Sequence, residues 1–510
     1  MARTKFNPAV AISDLVRYAQ ETMGLGKYDA IYAKNQLFAL FGVTEPADGH
    51  DKLPDFQTEI LDPLVNYGIK MGLCKEIEKL LFETKVMGLV TPAPGMVIAQ
   101  FDAIAANEGI EKATDYLHKI GVSSNYLRMP DISKNIMWTA PAPMGDLTVT
   151  INLSKPEKSR EQVEAERNLP ASNYPRCMLC VENLGFNGNL RHPARETIRI
   201  IPIFLNDEKW FFQLSPYVYF DNHCIAISEE HHPMAITPKT FVRLTDFVEQ
   251  LPHYFMGSNA DLPIVGGSIL AHEHYQGGKK VLPMFKRPDR KTFISEKYAN
   301  VKVSILDWYN SVIKLTSKDK KALCALADEI LLAWRGYSDE SVGVLAETTA
   351  PHNTITPIAC FDKENGYELY LILRNNRTDE KHPYGIYHPT EDMHNVKKEG
   401  IGLIEAMGLF ILPGRLAKEI EGIVDILAGK TSLNFAEISK EDHPLFKHLH
   451  AIAQLANDSG VNLSMEDAEK AVVNYVNTTC VKILECTGVF KNDELGQNAF
   501  SKFLNSIGIK

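Results

Sequence analysis

Long apolar runs are missing from this 510-residue chain. The longest toward the C-terminal half, Gly400 to Gly414, is interrupted by Glu405 and is too short to span a bilayer core of about 30 Å. The opening Met-Ala-Arg-Thr-Lys-Phe-Asn-Pro is not followed by the apolar core of a secretion signal. The expectation is a cytoplasmic protein with no membrane partner. Cysteine is also scarce, with 8 residues, of which only Cys177 and Cys180 are closely paired. A disulfide framework is therefore not expected, and the other six read as buried small hydrophobes. An excess of positive charge is absent as well. The net charge of -10 argues against broad nucleic-acid binding, though a local basic pocket for a small phosphate ester stays open. The phosphate-loop pattern is incomplete, because Gly24-Leu-Gly26-Lys27 lacks the remaining glycine and the Ser/Thr.

What remains is an ordinary soluble composition, 45% hydrophobic and 23% charged, long enough for two or three domains and ample core. From about 8 to 130 the apolar residues recur at helical spacing, as in Ile12 to Ala19 and Glu76 to Phe82. Ser154 to Arg167 is strongly charged and reads as a solvated helix or connector. From about Arg195 the texture turns to strands: Thr197–Leu205, Trp210–Leu214, Tyr217–Phe220 and Cys224–Ile227. A helix then starts at Thr237 and Pro238 and carries Phe241, Leu244, Phe247, Val248 and Leu251 on one face. Strands, one helix and a further strand amount to an α+β layout. Asn353–Asp362 echoes Glu196–Asp207, and Asn365-Gly366 signals a hairpin, so the chain reads as two related halves. Beyond about 415 the pattern returns to amphipathic helices.

The densest chemistry lies in Asp261 to Gly278. His272, His274 and Gln276 are spaced by two, so an extended backbone puts them on one face, with Glu273 and Tyr275 on the other. Flanking glycines suit the close approach of a ligand. A neutral imidazole can attack phosphorus or bind a metal, and a carboxamide can donate to a phosphoryl oxygen. A zinc protease motif fails, because Gln276 stands where its second histidine belongs. Cys177-Met-Leu-Cys180 has the spacing of a metal knuckle that lacks a second Cys-x-x-Cys. Its remaining ligands would be histidines, with His231 or His232 and His272 as candidates. Two reduced core cysteines are the competing reading.

The stretch Asp261 to Gly278 resembles the signature of the class II UDP-glucose–hexose-1-phosphate uridylyltransferases of the histidine-triad superfamily. Phe38–Phe41, Asn187–Arg195, Ala350–Pro357 and Gly408–Arg415 agree with it. The resemblance implies two histidine-triad-like halves, at 131–300 (catalytic) and 301–510, after a helical region at 1–130. It implies exchange of UMP between UDP-glucose and galactose 1-phosphate in galactose metabolism. It places the nucleophile on His274 and the phosphate contact on Gln276. Structural zinc would fall on Cys177, Cys180, His231 and His272, and no organic cofactor is implied. Asn259 and Ser268 would touch the nucleotide, and Lys398 or Glu405 the hexose phosphate. Class I relatives carry His-Pro-His, where this chain has Glu273. They also bind a second metal, for which His352 matches one ligand, while Leu371 to Leu373 stand where paired histidines belong. Their dimeric state implies a homodimer here. The alternatives are a histidine-triad hydrolase or phosphorylase, and a zinc-stabilised binding module without turnover.

Overall fold

The computed structural model describes residues 6–154, 172–267 and 269–510. The charged stretch after Ser154 and the candidate Ser268 lie outside the described residues.

Helices fill the N-terminal region as its apolar spacing predicts: Pro8–Met23, Lys27–Phe41, Asp62–Lys70, Lys79–Val90, Pro94–Glu108 and Ile110–Ser123. The first is set by local chemistry. The Asn7 side chain accepts from the Ala9 N–H, Pro8 supplies the helical φ, and Gly24 closes the helix at φ 71°. Its Ile12, Leu15 and Ala19 are buried in the common core. Among the described residues no single helix is long and apolar enough to cross a membrane. Glu76–Val90 and Pro94–Glu108 together reach that length, but they are bent by 60°. Phe82, Val86, Val97 and Phe101 of this pair join the core.

Strands β1 (Ile136–Ala140) and β2 (Leu147–Asn152) pair antiparallel. The chain then runs twice through one order: a run of antiparallel strands, a helix, and a strand pair. The first pass is β3 (Ile200–Leu205), β4 (Glu208–Leu214), β5 (Cys224–Ser228), helix Pro238–Gln250, β6 (Tyr254–Gly257) and β7 (His274–Lys279). The second is β8 (Asp289–Ile294), β9 (Lys302–Leu306), β10 (Val312–Ser317), helix Lys320–Gly336, β11 (Asn353–Asp362) and β12 (Gly366–Asn375). They merge into one 10-stranded sheet, ordered β3-β4-β5-β7-β6-β11-β12-β10-β9-β8. The order is palindromic about the β6–β11 seam, where Gly257 faces Ile358 and Met256 faces Ala359. Finally β13 (Leu409–Pro413) pairs parallel with β2.

The α+β class and the helix beginning at Thr237 form as the sequence predicts. Two details differ. The echo of Glu196–Asp207 in Asn353–Asp362 pairs strands of unlike rank, because β3 opens its half and β11 is the fourth strand of the other. The halves do repeat, but in another register; short apolar strands ending in a turn look alike wherever they sit. Tyr217–Phe220 is not a strand. Pro216 and positive φ at Val218 (41°) and Asn222 (54°) break the extended path between β4 and β5.

The sheet is covered on both faces. Trp210, Phe212, Tyr254, Tyr275, Leu369 and Leu371 pack beneath helices, including the N-terminal set. On the other face, Phe255, Ile358, Tyr370 and Ile372 of the sheet pack with Val149 and Phe410 of the small sheet. Leu179, Ile200, Phe211 and Ile227 form a separate cluster that seats the Cys177–Cys180 turn.

At Gly277, inside β7, an added Cβ would lie 2.1 Å from the Phe255 carbonyl oxygen of β6. Gly277→Ala is expected to lose about 1–3 kcal/mol in chemical denaturation, the usual range for overpacking. Gly95→Ala, where nothing lies within 4 Å, should be neutral or gain up to about 1 kcal/mol.

Candidate active site and metal centre

The alternation of residues 272–276 sorts their chemistry. Glu273 and Tyr275 point to the helix-covered face. Tyr275 stacks on Trp210 with ring centroids 4.8 Å apart, and its hydroxyl donates to Glu273 Oε1 at 3.0 Å. Arg243, from helix Pro238–Gln250, donates to the same oxygen at 2.8 Å and pairs with Glu208 at 2.6 Å. His232 Nδ1 lies 3.4 Å from Glu273 Oε2. Burial pushes the Glu273 carboxyl above its ordinary range, and Arg243 opposes that push. Glu273 is thus an internal anchor, with its own backbone N–H donating to the His232 carbonyl at 2.8 Å.

On the opposite face His272 meets the cysteine turn. Its Nδ1 is 3.2 Å from Cys177 Sγ and 3.7 Å from Cys180 Sγ. His231 Nδ1 is 3.1 Å from Cys180 Sγ, and the two sulfurs are 3.5 Å apart. All four ligand atoms lie within 4.8 Å of one another. A tetrahedral ion with bonds of about 2.3 Å to sulfur and 2.0–2.1 Å to nitrogen separates its donors by about 3.4–3.8 Å, a range near the 3.1, 3.2, 3.5 and 3.7 Å seen for these sulfur–sulfur and sulfur–nitrogen pairs. His272 Nε2 donates to the Ser228 carbonyl at 2.8 Å, which fixes its tautomer and leaves Nδ1 as the ligand nitrogen. Burial lowers the His272 pKa to about 4, so the ring is neutral as a ligand must be. Burial pushes the Cys180 thiol up to about 11, so its thiolate needs a cation beside it. The Asn183 side chain ties the turn by donating to the carbonyls of Cys177 and Cys180, both at 2.8 Å. These four residues could hold a metal ion.

His274 starts β7. Its Nδ1–H donates to the His272 carbonyl at 2.8 Å, so Nε2 carries the free lone pair. Burial lowers its pKa and keeps the imidazole neutral. Gln276, on the same face and half-buried, has Oε1 3.2 Å from His223 Nε2.

The remaining sequence candidates fall in different places. Asn259 is buried, and its Oδ1 accepts from the Leu403 N–H at 2.9 Å. Glu405 is buried in an ion pair with Lys397 Nζ at 3.0 Å. Gly402 brings the two together, since a Cβ there would sit 3.2 Å from Asn259 Oδ1 and 3.6 Å from Glu405 Oε2. Lys398 is exposed, with Nζ 5.7 Å from the Tyr384 ring centre. His352 has both ring nitrogens engaged, by Thr348 at 2.7 Å and Asn376 at 2.9 Å. On β12 the sheet face shared with Tyr370 and Ile372 bears no histidine, while Leu371 and Leu373 pack into the helix-side core.

His223, Arg243 and Lys397 escape sequence reasoning. Arg243 had a signal, because it is a charge at helical spacing from Phe247 on the apolar stripe. His223 had none, since it sits in an irregular turn.

Models of galactose-1-phosphate uridyl transferase match residues 26–233 for the N-terminal domain and 247–428 for the C-terminal domain. The galactose-1-phosphate uridylyltransferase of Caldanaerobacter subterraneus subsp. tengcongensis is 48% identical over 99% of both chains. Those of Fusobacterium nucleatum and Bacillus subtilis are 44% and 40% identical, each over 98% of both chains. A solved yeast Ap4A phosphorylase, Apa2, matches 60% of this chain and 88% of its own at 12% identity, with a TM-score of 0.32 that is too low to bear on the fold. By its two domain matches and its near full-length relatives, the chain belongs to the galactose-1-phosphate uridylyltransferase family.

Proposed function

We propose that the chain transfers UMP between hexose 1-phosphates, exchanging UDP-glucose and galactose 1-phosphate for glucose 1-phosphate and UDP-galactose. Family membership supports the reaction, which makes the protein a nucleotidyltransferase of galactose metabolism. The observation that carries the mechanism is the 2.8 Å hydrogen bond from His274 Nδ1 to the His272 carbonyl. It commits one nitrogen and aims the other as a nucleophile, as histidine chemistry requires.

In the first step His274 Nε2 attacks the α-phosphorus of UDP-glucose. The N–P bond forms while the bond to the bridging oxygen breaks, and glucose 1-phosphate leaves with the electron pair. No general acid is needed, because the leaving group is a phosphate. In the second step a phosphate oxygen of galactose 1-phosphate attacks the uridylyl-histidine, and the pair returns to Nε2. The Gln276 amide N–H donates to a non-bridging oxygen as charge gathers there. In this reading Asn259 and Ser268 contact the nucleotide and Lys398 or Glu405 the hexose phosphate; the approach of Asn259 and Glu405 across Gly402 supports their belonging to one site.

The metal in this reading is zinc, held by Cys177, Cys180, His231 and His272, and its role is structural. It ties the cysteine turn and the loop after β5 to the strand that carries the nucleophile. The same reading treats 1–130 as a helical region, 131–300 as the catalytic half and 301–510 as the second half. It takes the chain as a cytoplasmic homodimer.

Labelled UDP-glucose without acceptor should leave an acid-labile UMP on the protein, mapping to His274. A rapid burst of free UMP would instead mark a hydrolase. His274→Gly is expected to lower kcat on the order of 10⁴-fold or more, with partial rescue by free imidazole; wild-type turnover would sink the nucleophile assignment. Elemental analysis should find about one zinc per chain. Cys177→Ser should lose most of that zinc and melt at lower temperature, whereas full retention would remove Cys177 from the ligand set.

A further inference from the structure

His223 lies just ahead of β5, in the irregular connection that replaces the expected strand at Tyr217–Phe220. Its ring is 2% exposed. It is packed against Tyr219, at 5.3 Å and 26° between planes, and against Phe220 at 4.8 Å. Tyr219 in turn stacks on Tyr217 at 5.7 Å and 10°. Among the described residues the one polar contact of the imidazole is Nε2 to Gln276 Oε1, at 3.2 Å. Its Nδ1 is buried without a partner.

We infer that His223 is a positioning residue for uridylyl transfer, setting which end of the Gln276 carboxamide faces the phosphate. The inference rests on Gln276 being the phosphoryl-oxygen donor. A carboxamide has two nearly isosteric ends with opposite polarity. Turned one way it presents N–H to a phosphate, and turned the other way it presents a carbonyl oxygen that repels one. Gln276 is half-buried and, among the described residues, has no other side-chain partner to choose between them. A neutral imidazole carries one N–H, and burial holds the His223 pKa down to about 4, so the ring has a single proton to place. With the proton on Nε2, His223 donates to Gln276 Oε1 and the amide N–H groups are left for the substrate. With the proton on Nδ1, a buried donor would be left unpaired, which costs more than an unpaired lone pair and is rarer in proteins. The aromatic packing of Tyr219 and Phe220 fixes the ring plane, so this choice is built in before substrate arrives. His223 touches neither substrate nor the reacting atoms in this arrangement; it acts through Gln276.

The test compares turnover of the two α-phosphorothioate diastereomers of UDP-glucose, in which sulfur replaces one or the other non-bridging oxygen. Their rate ratio does not depend on how much protein is folded. In the wild-type enzyme the ratio should be strongly skewed, and Gln276→Ala should reduce the skew. His223→Phe keeps an aromatic ring but has no N–H. It should shift the ratio toward that of Gln276→Ala and lower kcat with natural UDP-glucose by about 10–100-fold, approaching the loss of one oxyanion-type donor. In the Gln276→Ala background it should add little further loss. His223→Gln, which restores an N–H donor, should recover part of the skew; it also serves if His223→Phe does not accumulate. A wild-type ratio in His223→Phe beside a changed ratio in Gln276→Ala overturns the role of His223 alone. A wild-type ratio in Gln276→Ala overturns the reading of Gln276 on which it rests.

Discussion

A strand can serve two purposes only if its register is fixed, and residues 272–276 serve two. A slip by one residue would send both histidines into the helix-covered core and bring Glu273 to the working face. The ion pair of Arg243 with Glu273 forbids that slip. Both partners are buried, and the slip would take from Arg243 its buried carboxylate and leave it only the partly exposed Glu208. Such a pair gives little net stability compared with an apolar contact of the same size. It does specify one register, which a stripe of interchangeable aliphatics would do less sharply. Tyr275 stacked on Trp210 reinforces the same choice. The stiffness of this strand comes from the helix beneath, so Glu273 belongs to the support and not to the chemistry.

The two halves share topology without sharing chemistry. β12 holds the place of β7, yet the corresponding sheet face carries Glu368, Tyr370, Ile372 and Arg374 where β7 has His274 and Gln276. Glu368 is engaged by Lys280 at 3.1 Å and Lys314 at 2.7 Å. Among the described residues a single group of metal-type side chains stands together, and it lies in the first half. The second half continues the sheet across the β6–β11 seam and brings the turn at Gly402, with Glu405 beside it, to Asn259.

Much of this is legible in the sequence. Period-two spacing placed His272, His274 and Gln276 on one face and Glu273 with Tyr275 on the other, because side-chain alternation is a local property of the backbone. Helical spacing and the Thr237-Pro238 start found the crossover helix for the same reason. The ligand set Cys177, Cys180, His231 and His272 came from resemblance, and the fold does bring those four together. What escaped were matters of tertiary packing. Tyr217–Phe220 has strand-forming residues, but its aromatics are used to wall His223, and the backbone turns to allow it. Lys397 and Lys398 are indistinguishable in sequence, and only folding decides which one turns inward to Glu405. The repeat itself was visible, but its register was not.

The small sheet carries a consequence for how the chain reaches this state. β2 precedes the first half and β13 follows the second, yet they run side by side, with Val149 opposite Phe410 and Ile151 opposite Leu412. Their pairing encloses the whole of the ten-stranded sheet in a single chain loop. Such a contact gains nothing until both halves have closed the distance, so it belongs to the late part of folding. Until then the face that bears Phe255, Ile358 and Ile372 is bare apolar surface. The interval between finishing the sheet and covering it is when this protein is most exposed to misassociation, and it ends with the arrival of β13.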